Sequence, residues 1–164
     1  DELFQAIEKG ELHRNFQGYT TKGGADLIGV GLTSIGEGKD SYNQNYKEMS
    51  LYEKSIDSGK LPFEKGVVLH EDDLIRQYVI MELMSNFKLD ITRFNKLFNR
   101  EFKVYFKDAL EVLKPFEEDS LVEMNDSMIK CSETGTLLIR NIAMAFDAYM
   151  NKHSANKNTF SKTI

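Results

Sequence analysis

The chain has one cysteine, two prolines and no apolar run of membrane length, and each shortage removes a class of function. A single thiol, Cys131, cannot form an intrachain disulfide, complete a tetracysteine zinc site or hold an iron–sulfur cluster from this chain alone. Cys131 is therefore expected to be a small, semi-buried strand residue. The longest apolar stretches, such as Leu137–Ile139 and Val79–Met81, are broken by charges far short of the roughly 20 residues that span a bilayer, so no membrane partner is expected. The opening Asp-Glu-Leu-Phe-Gln-Ala has neither the basic nor the apolar region of a secretory signal, and the compartment is read as cytoplasmic. Positive charge is also short: 21 Lys and Arg against 26 Asp and Glu give a formal charge of −5. Phosphate affinity comes from neutralising charges with Lys and Arg, so nucleic acid is not an expected partner.

What is present is the composition of a globular protein, with 41% apolar and 29% charged residues over 164 positions. A chain of that size buries roughly 70% of its unfolded surface and can hold its own core. Leu3 to Glu8 read as the end of a helix stopped at Gly10, as though the chain began mid-protein. Eight of the eleven glycines fall between Gly10 and Gly38, which reads as strand-and-turn material close to other backbone or to a ligand. A helix is expected over Tyr46 to Ser58, ended by Gly59, and a linker over Lys60 to His70, which contains Pro62 and Gly66. Asp72 and Asp73 place negative charge at the start of the next helix, which runs through Phe87.

Further on, the pattern predicts a helix over Ile91–Phe98 and another over Phe102–Leu113 that Pro115 should end. Strands over Leu121–Met124 and Ser127–Cys131 flank a turn at Asn125-Asp126, and Thr134 is expected to cap a long helix through Tyr149. Helix, helix, hairpin, helix suggests a winged-helix-like bundle. The fold class is thus α+β and mainly helical, with a short glycine-rich strand segment followed by a helical domain that carries a small β-hairpin. Residues 152–164 read as a polar basic tail with little apolar surface to bury.

Few motifs carry chemistry. Gly29-Val30-Gly31-Leu32-Thr33-Ser34 has serine where a dinucleotide fingerprint needs its third glycine, and another glycine-rich turn follows in place of a helix. His13, His70 and His153 are isolated from other ligand-type residues, so no metal site is expected. Over Glu101–Asp119, three lysines face six carboxylates, which would repel a DNA groove. The densest polar cluster is Leu12-His13-Arg14-Asn15-Phe16-Gln17-Gly18-Tyr19-Thr20-Thr21. Its amide, hydroxyl and aromatic groups crowd next to glycine, where a strand or loop presents donors to a ligand.

That cluster, Asp26-Leu27-Ile28-Gly29-Val30-Gly31 with Ser34-Ile35, and Tyr42-Asn43-Gln44-Asn45 resemble successive blocks of the bacterial oxygen-independent coproporphyrinogen III oxidases. Asp73-Leu74-Ile75-Arg76, Ser85–Asp90, Leu138–Asp147 and Phe160-Ser161-Lys162 match in the same order, so the resemblance spans nearly the whole chain. It implies a radical S-adenosylmethionine (SAM) oxidoreductase. The implied reaction is oxidative decarboxylation of two propionates of coproporphyrinogen III to vinyl groups, giving protoporphyrinogen IX in haem synthesis.

The family holds a [4Fe–4S] cluster on three cysteines of an N-terminal barrel, a motif this chain does not contain. The expected partners are therefore coproporphyrinogen III and the missing N-terminal radical SAM domain of the same protein, and the fragment alone is expected to be inactive. By the same resemblance, residues 1–59 form the end of the catalytic barrel region, with Phe16, Gln17 and Ile35 contacting a second SAM. Residues 60–151 form the helical C-terminal domain. Arg14 and Arg140 are further candidates, because a substrate with four propionates needs donors that grip carboxylates bidentately. Arg140 pairing with Asp147 is an equal expectation. A competing reading is a non-catalytic winged-helix module that binds a protein or a tetrapyrrole.

Overall fold

A computed structural model describes residues 1–149 of the chain; the basic tail, with His153, lies outside them. The chain divides into two compact units, Asp1–Ile75 and Arg76–Ile164. The fold class agrees with expectation: helices predominate and the sheets are small and antiparallel.

The first unit opens with α1 (Glu2–Lys9), whose N-terminus is capped by the Asp1 carboxylate and which ends at Gly10 in the left-handed conformation (φ 67°). A hairpin of β1 (His13–Asn15) and β2 (Gly18–Thr20) follows. Asn15 Oδ1 accepts the Gln17 N–H at 2.8 Å across its turn. β3 (Ile35–Glu37), β4 (Ser41–Asn45) and β5 (Phe63–Val68) form a second sheet in that order. Between β4 and β5 runs α2 (Met49–Asp57), which begins three residues later than expected because Tyr46 is still tied to Pro62 by a 2.9 Å backbone bond.

The expected linker over residues 60–70 is thus largely a strand. Proline and glycine mislead there because Pro62 stands just before β5, where its missing N–H is harmless. Gly66 lies inside the strand, where a Cβ would come within 3.1 Å of the Tyr42 carbonyl oxygen.

The second unit contains most of α3 (Glu71–Asn86), then β6 (Lys88–Asp90), α4 (Ile91–Phe98), α5 (Phe102–Tyr105), α6 (Lys107–Glu118), β7 (Val122–Met124), β8 (Met128–Cys131), α7 (Glu133–Leu137) and α8 (Ile139–Met144). Its sheet has the order β6-β8-β7, so β8 is central and β6 adds a strand the sequence pattern does not announce. The core is aromatic. Phe94, Phe102, Phe106 and Phe146 are fully buried and meet one another in edge and tilted pairs with ring centroids 4.9–6.1 Å apart. Such pairs add roughly 0.5–1.5 kcal/mol each beyond the area they bury. Arg76 closes the cluster, with its guanidinium over the Phe106 ring at 5.4 Å and Nη1 donating to the Phe146 carbonyl at 2.9 Å.

Three helix boundaries differ from expectation. Pro115 sits inside α6, which continues to Glu118. The carbonyl of Glu111, which Pro115 cannot serve, belongs to an exposed residue that water can reach, while Ala109 and Leu113 bury the opposite side. The break falls earlier, at Phe106 between α5 and α6. The last helix is also divided, at Leu138, and its cap is Ser132, whose Oγ accepts the Gly135 N–H at 3.1 Å. Gly135 is required here: a Cβ would lie 1.9 Å from the Leu121 carbonyl oxygen, which already accepts the Ser132 N–H at 3.0 Å.

This geometry separates the two candidate caps. Ser132→Ala is expected to lower unfolding stability by about 1 kcal/mol and Thr134→Ala by less than about 0.5 kcal/mol. Urea denaturation checks it; equal effects would mean that Ser132 is not the working cap.

Candidate functional site

The polar cluster and the glycine-rich loop meet in the first unit, and the sheet register explains how. Opposed residues of antiparallel strands share a face, so Ile35, Gln44 and Lys65 form one row across β3, β4 and β5, and Glu37, Tyr42 and Val67 form the next. Phe16, at the tip of the β1–β2 hairpin, stands edge-on to Tyr42 with ring centroids 5.4 Å apart and planes at 87°. Together Phe16, Ile35, Tyr42, Gln44, Lys65 and Val67, with backbone from Asn43 and Gly66 beside them, line a cleft of about 250 Å³. That is below the roughly 300–1,000 Å³ of a pocket that encloses a drug-sized ligand. The cleft is therefore an open wall and not an enclosing pocket.

The wall is held in place from behind. Asn45, at the end of β4, is 2% exposed, and its Nδ2 donates to the Gly29 carbonyl at 3.0 Å and the Gly31 carbonyl at 2.9 Å. Gln44 Nε2 donates to the Thr33 carbonyl at 3.0 Å, and the Thr33 N–H donates to the Tyr46 carbonyl at 3.0 Å. Both backbone groups of Thr33 are thus fixed, which holds this non-glycine residue at φ 60°. Gly29 must be glycine, since a Cβ would meet the Ile35 carbonyl oxygen at 2.8 Å. The Tyr52 hydroxyl on α2 accepts the Gly31 N–H at 3.2 Å. These bonds set the position from which Ile35 enters β3.

The named candidates separate into groups. Phe16 and Ile35, from segments 19 positions apart, line one cleft. Gln17 is adjacent to Phe16 and exposed, and does not line it. Arg14 lies half-buried in β1 with its guanidinium over the Tyr19 ring at 5.5 Å. Arg140 is exposed on α8 in the second unit. Reasoning from sequence missed Lys65, which falls within the supposed linker. It also left Tyr42 and Gln44 without a role, although their alternation is the period-2 signal of one strand face.

Ligation of a cluster does not fit this chain. Cys131 is buried in β8, where desolvation pushes its thiol up to about 11, and no group of three or more His, Cys, Asp or Glu among the described residues could hold a metal ion. In the second unit the Lys103 ammonium bonds Asp126 and holds its carboxyl below the usual range. No described helix is long and apolar enough to cross a membrane.

Three comparisons with known proteins show what the chain is similar to. A family profile described as the HemN C-terminal domain matches residues 69–138. The oxygen-independent coproporphyrinogen III oxidase of Helicobacter pylori strain J99 is 49% identical over all 164 residues, and that of Escherichia coli K12 is 42% identical over the same length. The chain spans 35% and 36% of those two proteins, about a third of each. A solved structure, described as coproporphyrinogen III oxidase (HemN) from Escherichia coli and as a radical SAM enzyme, superimposes with a TM-score of 0.87 at 42% identity. The match covers 91% of this chain and 34% of that one.

Two outcomes follow from the geometry. Asn45→Asp replaces a double donor with a carboxylate facing two carbonyl oxygens, and should open the Gly29–Ser34 loop to a broad-specificity protease; unchanged cleavage would rule out the clamp. Cys131, with its pKa at about 11, has on the order of one thiol in a thousand ionised at pH 8 and is buried. Iodoacetamide is expected to leave it unmodified in the folded chain and to alkylate it fully in denaturant, as read by intact mass; fast labelling of the folded chain would contradict the assignment.

Proposed function

We propose that the chain is the C-terminal portion of an oxygen-independent coproporphyrinogen III oxidase and supplies one wall of its active site: residues 69–138 match the HemN C-terminal domain profile, and all 164 residues align with such oxidases. The proposed overall reaction is the oxidative decarboxylation of two propionates of coproporphyrinogen III to vinyl groups, giving protoporphyrinogen IX. The supporting observation is the convergence of Phe16 and Ile35 on one cleft.

The residues of that wall suit a nucleoside carrying an amino-acid end. The paired rings of Phe16 and Tyr42 offer an apolar face and edge to a heteroaromatic base, Ile35 packs against its sugar side, and the amide of Gln44 is fixed by Thr33. Gln17, exposed beside Phe16, has an amide free to turn toward a ligand that extends past the cleft. SAM, together with a [4Fe–4S] cluster held outside this chain, supplies the hydrogen-abstracting chemistry when bound. This chain's share is to bind, orient and exclude water.

Arg14 and Arg140 are proposed to meet propionates of the substrate. A guanidinium stacked on Tyr19 leaves its edge N–H groups for a carboxylate, which supports Arg14. The partner is the remaining portion of the same protein, since relatives are about three times as long as this chain. Ile28, Val30 and Val68 are 65–83% exposed in the first unit and give that portion an apolar surface to cover. By this reading the isolated chain has no turnover, and the protein works in the cytoplasm, a reducing compartment in keeping with a free thiol at Cys131.

In the full-length protein, Phe16→Ala and Gln17→Ala are each expected to lower product formation by roughly tenfold or more while the cluster absorbance stays unchanged. Unchanged turnover in both variants would remove the cleft from the active site.

A further inference from the structure

The cleft has one cationic side chain, and neither the family resemblance nor the comparisons give it a role. Lys65 stands in β5 directly across from Gln44, in the row that also contains Ile35. No carboxylate among the described residues forms a salt bridge with it, although the chain carries 26 Asp and Glu. The acidic residue nearest along the sheet face is Glu37 in the neighbouring row, whose Oε1 accepts the Tyr42 hydroxyl at 3.2 Å. An ammonium on a strand, next to a pre-oriented amide and at the end of an aromatic and aliphatic wall, has the chemistry to pair with an anion attached to a flat ring.

We propose that Lys65, with the Gln44 amide beside it, binds the carboxylate of the molecule that occupies this cleft. The proposal rests on the reading of the cleft as part of the active site. One hydrogen of Gln44 Nε2 is held by the Thr33 carbonyl, which leaves its second hydrogen and its Oε1 for the ligand. Two molecules of that reading carry a carboxylate along with flat rings: SAM, through its methionyl end beside the adenine, and the tetrapyrrole, through a propionate on a pyrrole. Lys65 acts on either by the same charge-assisted bond, which is stronger than a neutral one because both partners are ionised.

The test is ligand binding to the full-length, cluster-bearing protein. SAM is measured by equilibrium dialysis, and coproporphyrin III, the oxidised form of the substrate, by fluorescence. The variants are Lys65→Gln, Lys65→Arg and Phe16→Ala. Lys65→Gln is expected to weaken one of the two ligands by roughly tenfold, the size of one lost charge-assisted bond, and Lys65→Arg to restore most of it. The affected ligand identifies the source of the carboxylate. The matching ligand without that group, decarboxylated SAM or the coproporphyrin methyl ester, should bind Lys65→Gln and the unsubstituted protein equally. If Phe16→Ala weakens binding and Lys65→Gln does not, the cleft reading stands and the role of Lys65 is overturned. If neither substitution matters, the cleft reading fails and the proposal with it.

Discussion

Everything at the candidate site depends on two hydrogens of one buried amide. Asn45 grips the carbonyls of Gly29 and Gly31, and through them the loop that delivers Ile35 to β3. The loop itself has little to hold it. Ile28 and Val30 are each 83% exposed, so apolar burial contributes almost nothing to its shape. Glycines admit the conformation and hydrogen bonds choose it, a division of labour that holds irregular backbone at a defined position. A carboxylate or an alkyl group at position 45 cannot do the same, because neither presents two donors from one atom.

The second unit follows a different logic. Its core centres on a cluster of four buried phenylalanines with Arg76 over one edge, and its polar surface is acidic where a recognition helix would be basic. Cys131 is buried at the end of β8, where desolvation suppresses the thiolate that would make it a nucleophile or a ligand. The cleft lies in the first unit.

What could be read from sequence was whatever local chemistry decides. Gly10 ending α1, the helix over Ile91–Phe98, and the turn in which Asn125 Oδ1 accepts the Ser127 and Met128 N–H groups are all settled within a few residues. The errors came where distant contacts outvote local preference. β5 is exposed along its whole length and shows no alternation of burial, so only its pairing with β4 reveals it as a strand. Pro115 is tolerated because the carbonyl it leaves unserved faces water, and Leu138 divides the last helix although its propensity is helical. Lys65 was invisible as a site residue for the reason β5 was invisible as a strand. Phe16 and Ile35 entered by family resemblance, and their shared cleft requires a register that sequence alone does not supply.

The central claim is that this chain provides a ligand-contacting wall for chemistry whose metal centre lies elsewhere in the same protein. A structure of the full-length protein crystallised without oxygen, with SAM present, tests it most directly. The account predicts ligand density in the cleft, in van der Waals contact with the Phe16 ring and the Ile35 side chain. A cleft filled by side chains from the rest of the protein, with every ligand bound away from Phe16 and Ile35, would contradict it.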